Sequence, residues 1–304
     1  MSAAVWARRP AAPWGLGRFG LWSSALDRQP AARVRAAVPL IEALGYSVLW
    51  VGEARRREIF VNAALLLSVS DHLVVGSGIA NIWARDPAAM SAGQSSLLEA
   101  FAGRFILGLG VSHDVLVAER GHRYGRPLQA MRDYLEQMDQ FVYDAPPPAR
   151  GSKRRVLAAL GPKMLALAAE RADGAHPYLV PPEHTVRARR ILGPDKWLAP
   201  ELAVVLGADR ADSRRVARRH LTRYLELANY RANLARFGFG DDDFAHGGSD
   251  RLVDALVGCG EREAVQRAQD HLDAGADHVA FQVLSSNANH LPLNEWRRLA
   301  EALS

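Results

Sequence analysis

Eight short apolar runs alternate with stretches of helical periodicity from residue 18 to residue 303, and nothing else in the chain limits its fold so strongly. The runs fall at 18–22, 47–51, 73–80, 105–109, 155–160, 175–180, 198–206 and 277–284. An apolar run of this length between turn signals reads as a strand covered on both faces, and strands that each lead into a helix lie parallel. Eight such units in succession favour a closed barrel over an open sheet. The expected fold is therefore α/β, a (β/α)8 TIM barrel with a helical insertion before the last β/α unit. The insertion covers about 209–258, where the alternation stops. It reads as an Arg-rich helix over 212–237, a Gly- and Asp-rich loop, and a helix over 249–257. Residues 1–16 read as a lead-in of low order and 17–304 as a single barrel domain.

The helix starts carry their own signals. Pro30 opens the first helix, Asp86-Pro87 supplies an N-cap and a proline at the first helical position, and Gly161-Pro162 repeats the proline start. With 304 residues and 49% apolar content the core is large enough for one barrel. The single cysteine, Cys259, excludes an internal disulfide framework and suits a cytoplasmic location. No apolar run reaches the length of a membrane span. Arg8, Arg9, Pro10 and Pro13 interrupt the first residues and do not fit a signal peptide. The formal net charge is +5, but the arginines are interleaved with acids and read as solvated helix faces. There is no basic stripe with stacking aromatics, so nucleic acid is not an expected partner; a small molecule is.

In a barrel the chemistry gathers at the C-terminal ends of the strands. The fourth run ends in Gly108-Leu109-Gly110-Val111-Ser112-His113, where two glycines allow close approach to the backbone and polarity then changes abruptly. The other ends offer Trp22 and Ser23, then Glu53, then Ser77-Gly78-Ile79 with Asn81, Trp83 and Arg85, then Gly161-Pro162-Lys163, His176 with Tyr178, and Gln282. Glu53 reads either as a site carboxylate or as a salt-bridge partner of Arg55, Arg56 or Arg57. His113 reads as a general acid/base, a ring-orienting hydrogen bonder or a satisfied loop residue, and His176 as a site or a packing residue. Gly161, Pro162 and Lys163 place a cation and free N–H groups at a helix start, which favours an anion such as phosphate. The ten histidines are dispersed and form no metal set. There is no Gly-x-Ser-x-Gly elbow, and the third glycine of the dinucleotide fingerprint is missing. A site poor in nucleophiles suits an organic cofactor that carries the hard chemistry. The far wall of the pocket is expected from the loops at 114–126 and 237–248.

The motif Gly103-Arg104-Phe105-Ile106-Leu107-Gly108-Leu109-Gly110 with Ser112-His113 resembles the fourth-strand signature of the bacterial-luciferase-like superfamily. The run from Gly76 through Asn81 to Asp86-Pro87 resembles its deazaflavin-dependent branch, as do Ala159-Leu160-Gly161-Pro162-Lys163, the segment from Ala172 to Tyr178, and Ala274-Gly275-Ala276-Asp277-His278-Val279. The resemblance implies an oxidoreductase that uses coenzyme F420, usually a homodimer, with the cofactor across the strand ends. It implies a non-prolyl cis peptide at Gly78-Ile79, whose bulge backs the ring together with Ser77 and Asn81. It also implies that Glu53, Val111, Ser112 and His113 flank the ring, that Gly161, Pro162 and Lys163 hold a phosphate, and that His176 joins the cofactor site. The sugar-phosphate dehydrogenase branch has Asp-His and a later glutamate where this chain has Glu53-Ala54 and His113, so its sugar-oxidising chemistry does not transfer. His113 is left as the proton carrier, with Glu53 as the second catalytic candidate. An FMN-dependent monooxygenase on the same barrel and a non-catalytic cofactor-binding barrel are the alternatives.

Overall fold

The computed structural model of the chain describes residues 13–207 and 209–304. The lead-in expected to be of low order lies outside the described residues over 1–12. Where the description begins, Trp14 packs its ring against Trp197 at 4.8 Å.

The strands are β1 (Phe19–Trp22), β2 (Val48–Val51), β3 (Val74–Ser77), β4 (Ala80–Asn81), β5 (Phe105–Gly110), β6 (Arg155–Leu157), β7 (Gly174–Ala175), β8 (Trp197–Leu198), β9 (Glu201–Val205), β10 (Val257–Cys259) and β11 (Val279–Val283). Their pairings are parallel and run β10-β9-β11-β1-β2-β3-β5-β6-β7-β8, with β4 on β5. β8 and β9 are two pieces of one run, parted at Ala199-Pro200, where proline has no N–H to give. On one edge this run reaches β7 and its continuation, through Ala199 N–H to Ala175 O (3.0 Å) and Glu201 N–H to Pro177 O (2.8 Å). On the other it accepts from β11, through Ala280 N–H to Pro200 O (3.0 Å). The two ends of the path therefore meet, and the sheet curls into a barrel. The eight apolar runs supply its staves. β2, β5 and β9 are buried at every residue, as a parallel sheet covered by helices requires.

The third stave is also broken. β3 ends at Ser77, the Gly78-Ile79 peptide bond is cis, and β4 resumes at Ala80. The interruption leans on β5. Ser77 Oγ donates to Gly108 O (2.9 Å) and accepts from Gly108 N–H (2.8 Å). A Cβ on Gly108 would lie 2.0 Å from the Ser77 carbonyl oxygen.

Aromatic rings and imidazoles fill the interior rather than branched aliphatics alone. His176 stacks on Trp50 (4.1 Å between centroids, 6° between planes), and Trp50 stacks on Trp197 at 5.8 Å. Below them His278 Nδ1–H donates to Gly17 O at 2.8 Å. Outside, helices cover the sheet. Asp86 accepts from Ala89 N–H (2.9 Å) at the head of Pro87–Ala100, the start read from the sequence, and Glu58 accepts from Val61 N–H (2.8 Å) at the head of Ile59–Leu67.

The insertion departs from its expected outline in two places. The single helix over 212–237 is two, Arg210–Leu225 and Ala228–Ala235, divided at Glu226-Leu227. The helix expected to run to 257 stops at Leu256, and Val257 begins β10 alongside β9. Leu252, Val253, Leu256 and Val257 keep helical spacing to the end, so periodicity could not locate the change. Leu221, Tyr230, Leu234, Leu252 and Val253 form a second core above β9. Many of the arginines pair within the insertion: Arg214 bridges Asp250 and Asp254, and Arg218 bridges Asp250. Such exposed pairs are worth little singly, so the apolar core holds the segment. Among the described residues no helix is long and apolar enough to cross a membrane.

Gly108→Ala should destabilise the fold by at least about 3 kcal/mol, because the methyl group meets backbone that cannot yield. Gly161→Ala, where nothing lies within 4 Å, should cost less than about 1 kcal/mol. Urea unfolding of the two variants checks the contrast; equal midpoints would remove the close approach as a constraint.

Candidate functional site

The ends of β1, β2, β3, β5, β7 and β11 meet at one mouth. Its floor is backbone. Trp22 Nε1–H donates to Gly78 O (3.0 Å), and a Cβ on Gly78 would lie 2.5 Å from that nitrogen and 3.0 Å from His176 Nε2. A Cβ on Gly52 would meet the Trp22 ring at 3.1 Å, and one on Gly110 would meet the Ile79 side chain at 2.5 Å. The closeness that Gly108 and Gly110 permit is thus to the broken third stave itself.

Glu53 is clamped. Its carboxylate takes both arms of Arg85, one at 3.0 Å and one shorter, and accepts from Asn81 N–H at 2.9 Å. Its own N–H donates to Ile79 O (3.2 Å). The partner is Arg85, not the neighbouring arginines: Arg55 pairs with Glu119, and Arg57 donates to Gln29 O. The Glu53 side chain is only 4% exposed, so it reads as the clamp of β4 rather than as a proton carrier. Ser77 is fully buried, and its hydroxyl is engaged with Gly108. Asn81, 1% exposed, turns its Oδ1 back to Trp83 N–H (3.0 Å).

On the β5 side, Val111 O accepts from Trp83 Nε1–H (2.9 Å), which sets the indole at the rim. Ser112 has a φ of 59°, a left-handed turn that sends the chain away from the sheet axis. His113 follows, half-buried, with its ring 5.8 Å from Tyr230 of the insertion, and burial lowers its pKa. His176 lies beneath the floor. Its Nδ1–H donates to Ala199 O (2.6 Å), burial depresses its pKa to about 4, and its Nε2 has no partner. It is therefore a neutral imidazole with an orphan lone pair below Gly78. Gly161 caps the helix Pro162–Arg171 with open space around it, and Lys163 stands exposed in the first turn.

Sequence reasoning missed the wall beside His113. The helices Arg210–Leu225 and Ala228–Ala235 bring His220, Tyr224 and Tyr230 there, around Tyr178. The segment at 114–126 supplies a short helix, Asp114–Ala118, and Tyr124, whose hydroxyl donates to Ser112 O (3.4 Å). Glu201 was missed as well. It is 1% exposed; its Oε2 accepts from Leu179 N–H (3.0 Å), its Oε1 has no partner, and burial pushes its pKa up to about 8. Asp27, in the loop after β1, is pushed up to about 6 by burial. β9 is apolar apart from Glu201 and buried at every residue, so its sequence gave no signal of which face the carboxyl takes. A polar cavity of about 420 Å³ lined by Asp139, Arg155, Arg171 and Lys196 opens at the other end of the barrel, where β6 and β7 begin.

The family profile described as luciferase-like monooxygenase matches residues 15–265. A Mycobacterium tuberculosis protein provisionally named a coenzyme F420-dependent oxidoreductase is 27% identical over 195 residues, covering 54% of this chain and 55% of that protein. The chain spans about half the length of the curated relatives it matches. Among solved structures, the coenzyme F420-dependent tetrahydromethanopterin reductase of Methanopyrus kandleri superposes with a TM-score of 0.73 at 16% identity, over 94% of this chain and 98% of its own. The oxygenating constituent of a Pseudomonas putida Baeyer–Villiger monooxygenase in complex with FMN superposes with a TM-score of 0.68 at 12% identity, over 95% and 97%.

The buried ionisable groups predict a lopsided pH profile. His176, His184 and His278 fall to about 4 and His220 and His271 to about 3, all through burial. Below their ordinary value of 6.5 the unfolded chain takes up these protons and the folded chain does not, so stability is lost as pH falls. Glu201 and Asp27 act the other way, losing stability as pH rises from their ordinary values, 4.5 and 3.8, toward about 8 and about 6. Where the windows overlap, five histidines outweigh two carboxyls, and urea midpoints should fall steeply from about pH 6.5 to about pH 5. Between about pH 6.5 and about pH 8 the parent should lose stability that Glu201→Gln retains, on the order of a few kcal/mol at most. A midpoint flat on the acid side would show that the histidines are not held neutral.

Proposed function

This chain belongs to the luciferase-like monooxygenase family, and from that membership we propose that it is an oxidoreductase that moves a hydride between coenzyme F420 and a small organic substrate. The observation that carries the reading is the broken third stave at the mouth, where Gly78 is packed on Trp22 and His176, Ile79 crosses Gly110, and a half-buried imidazole, His113, stands at the rim. Such a ledge suits a planar ring and offers no protein nucleophile. F420 is chosen over FMN because the motifs around Gly78-Ile79 and Gly161-Pro162-Lys163 resemble the deazaflavin-dependent branch, and the M. tuberculosis relative carries that cofactor in its name. One part of the mouth fits the group directly: the open helix start at Gly161 has no neighbour to exclude a phosphate.

The deazaflavin, when bound, supplies a two-electron hydride carrier, and the residues around it have other tasks. Gly161 and the first turn of Pro162–Arg171 direct N–H groups and the positive helix end at the phosphate, with Lys163 as counter-charge. Ile79 and Val111 would bracket the ring, and Ser112 would aim the chain so that His113 stands at its edge. His113 holds or releases the proton that accompanies the hydride. Because burial favours its neutral form, it is a ready base at neutral pH and an acid only below its ordinary pKa. Glu53 and Arg85 carry no proton in this reading; they keep β4 and the floor in place.

Titration of the apo-protein by fluorescence should show tight binding of F420 and weak binding of FMN. The reverse would assign monooxygenase chemistry, and binding of neither would leave a barrel without turnover. Lys163→Ala should weaken F420 binding about tenfold. His113→Ala should bind F420 within about twofold of the parent and lose turnover by about a hundredfold or more. Unchanged turnover would remove His113 from the chemistry. A homodimer is part of the same proposal, and analytical ultracentrifugation of the purified protein tests it.

A further inference from the structure

Gln282 lies near the C-terminal end of β11. Ala280, two residues earlier, belongs to the barrel's inner cluster, and His278 packs on Trp197 at 5.3 Å inside it. By the two-residue repeat of a strand Gln282 points inward as well, into the mouth. It is 4% exposed, and its Oε1 accepts from the Tyr178 hydroxyl at 2.6 Å. Its Nε2 has no partner among the described residues. An amide is planar, so a pinned Oε1 fixes where the two N–H groups lie.

That hydrogen bond is the end of a chain of donors. Arg223 can only donate, and its Nη2 reaches the Tyr224 hydroxyl at 3.1 Å. Tyr224 then donates to Tyr178 at 3.1 Å, and Tyr178 donates to Gln282. His220 Nε2 lies 3.1 Å from the same Tyr178 oxygen, where its N–H completes the phenol's bonds. Each hydroxyl has one proton to give, and in this arrangement Tyr178 gives its proton to Gln282 Oε1, which leaves the amide N–H groups directed away from Tyr178. Tyr178 also packs against Trp22 at 5.5 Å, and Trp22 is bonded to Gly78 O. The amide therefore stands beside the floor on which the proposed cofactor lies.

We propose that Gln282 selects the substrate, its N–H groups holding the oxygen of an aldehyde or ketone over the floor, with its orientation set by Arg223, Tyr224 and Tyr178. The inference rests on the hydride-transfer reading above. In that reaction the carbonyl carbon would take a hydride from reduced F420, which is left oxidised, and the oxygen would take its proton from His113 in its protonated form, giving the alcohol. Gln282 exchanges neither electrons nor protons. A substrate presenting only donors at that position, such as an ammonium group, meets N–H against N–H and is refused.

The test compares cyclohexanone with methylenecyclohexane, an isostere that lacks the acceptor, and with cyclohexylamine. Each is titrated by intrinsic fluorescence into the apo-protein and into the F420-loaded protein. The parent should prefer the ketone to the alkene by about tenfold. Gln282→Leu should abolish that preference. Gln282→Glu should reverse the polarity and bind the protonated amine better than the ketone, which loss of packing alone would not produce. Tyr224→Phe, which leaves Gln282 and Tyr178 in place, should reduce the preference by releasing the amide to turn. Failure of the apo-protein to bind the ketone, equal ketone and alkene affinities in the parent, or an unchanged preference in Gln282→Leu would each overturn the proposal. Failure of F420 to bind, with the ketone preference intact in the apo-protein, would overturn the cofactor reading and leave the role of Gln282 standing.

Discussion

The contact on which the mouth depends is the one between Ser77 and Gly108. Neighbouring staves of a parallel barrel are held apart by their own ladder, and a carbonyl oxygen can lean on the adjacent strand only where that strand has no Cβ. With Gly108 bare, Ser77 binds its backbone from both sides, and the third stave can leave its line and resume as β4. Each later feature uses the displacement. Gly78 O turns toward Trp22, Ile79 crosses Gly110, and the freed Asn81 N–H finds Glu53. The Glu53–Arg85 pair then serves as the clamp of an irregular strand. A buried pair with several hydrogen bonds suits that work better than it suits proton transfer, because moving a proton to or from the carboxylate would dismantle it.

Beneath the floor the barrel is polarisable but uncharged. His176 and His278 are neutral, Trp50 and Trp197 lie between and beside them, and Glu201 keeps its proton to near neutral pH. Formal charge is kept to the rim, at the Glu53–Arg85 clamp, Lys163 and Arg223. In the proposed reaction a ring resting on Gly78 is thus flanked by fixed dipoles and neutral imidazoles. Such surroundings need not reorganise when charge moves above them.

The architecture was legible because alternation of short apolar runs with helical periods has few physical solutions. The importance of Gly108 and Gly110 was legible because glycines inside a strand have a packing reason, whereas Gly78 was marked only by the family resemblance. What the two admit was not legible: the visitor at Gly108 is the protein's own carbonyl. Glu53 could be read as paired, yet its partner lies 32 residues away, at a distance in sequence that no local pattern encodes. Ser77 was marked by its place at a strand end, and only the sheet geometry shows that its hydroxyl is engaged with Gly108. β10 was hidden by apolar spacing that stays helical through Val257. Tyr224, Tyr230 and His220 carry no motif, since their meaning comes from a helix folding back over strands that lie distant in sequence.

The two feet of the insertion stand side by side. The chain leaves the barrel after β9 and returns as β10, which pairs with β9 itself, Val257 beside Ala203. A segment whose ends are already held together can change length at a cost that grows only with the logarithm of its size. The cover over the mouth, the source of Tyr224, Tyr230 and His220, is therefore the part of this molecule most free to be lengthened, shortened or exchanged in descent. The broken stave opposite has no such freedom, because each of its residues is spoken for by a neighbour. One half of the mouth is conserved by geometry, and the other is open to invention.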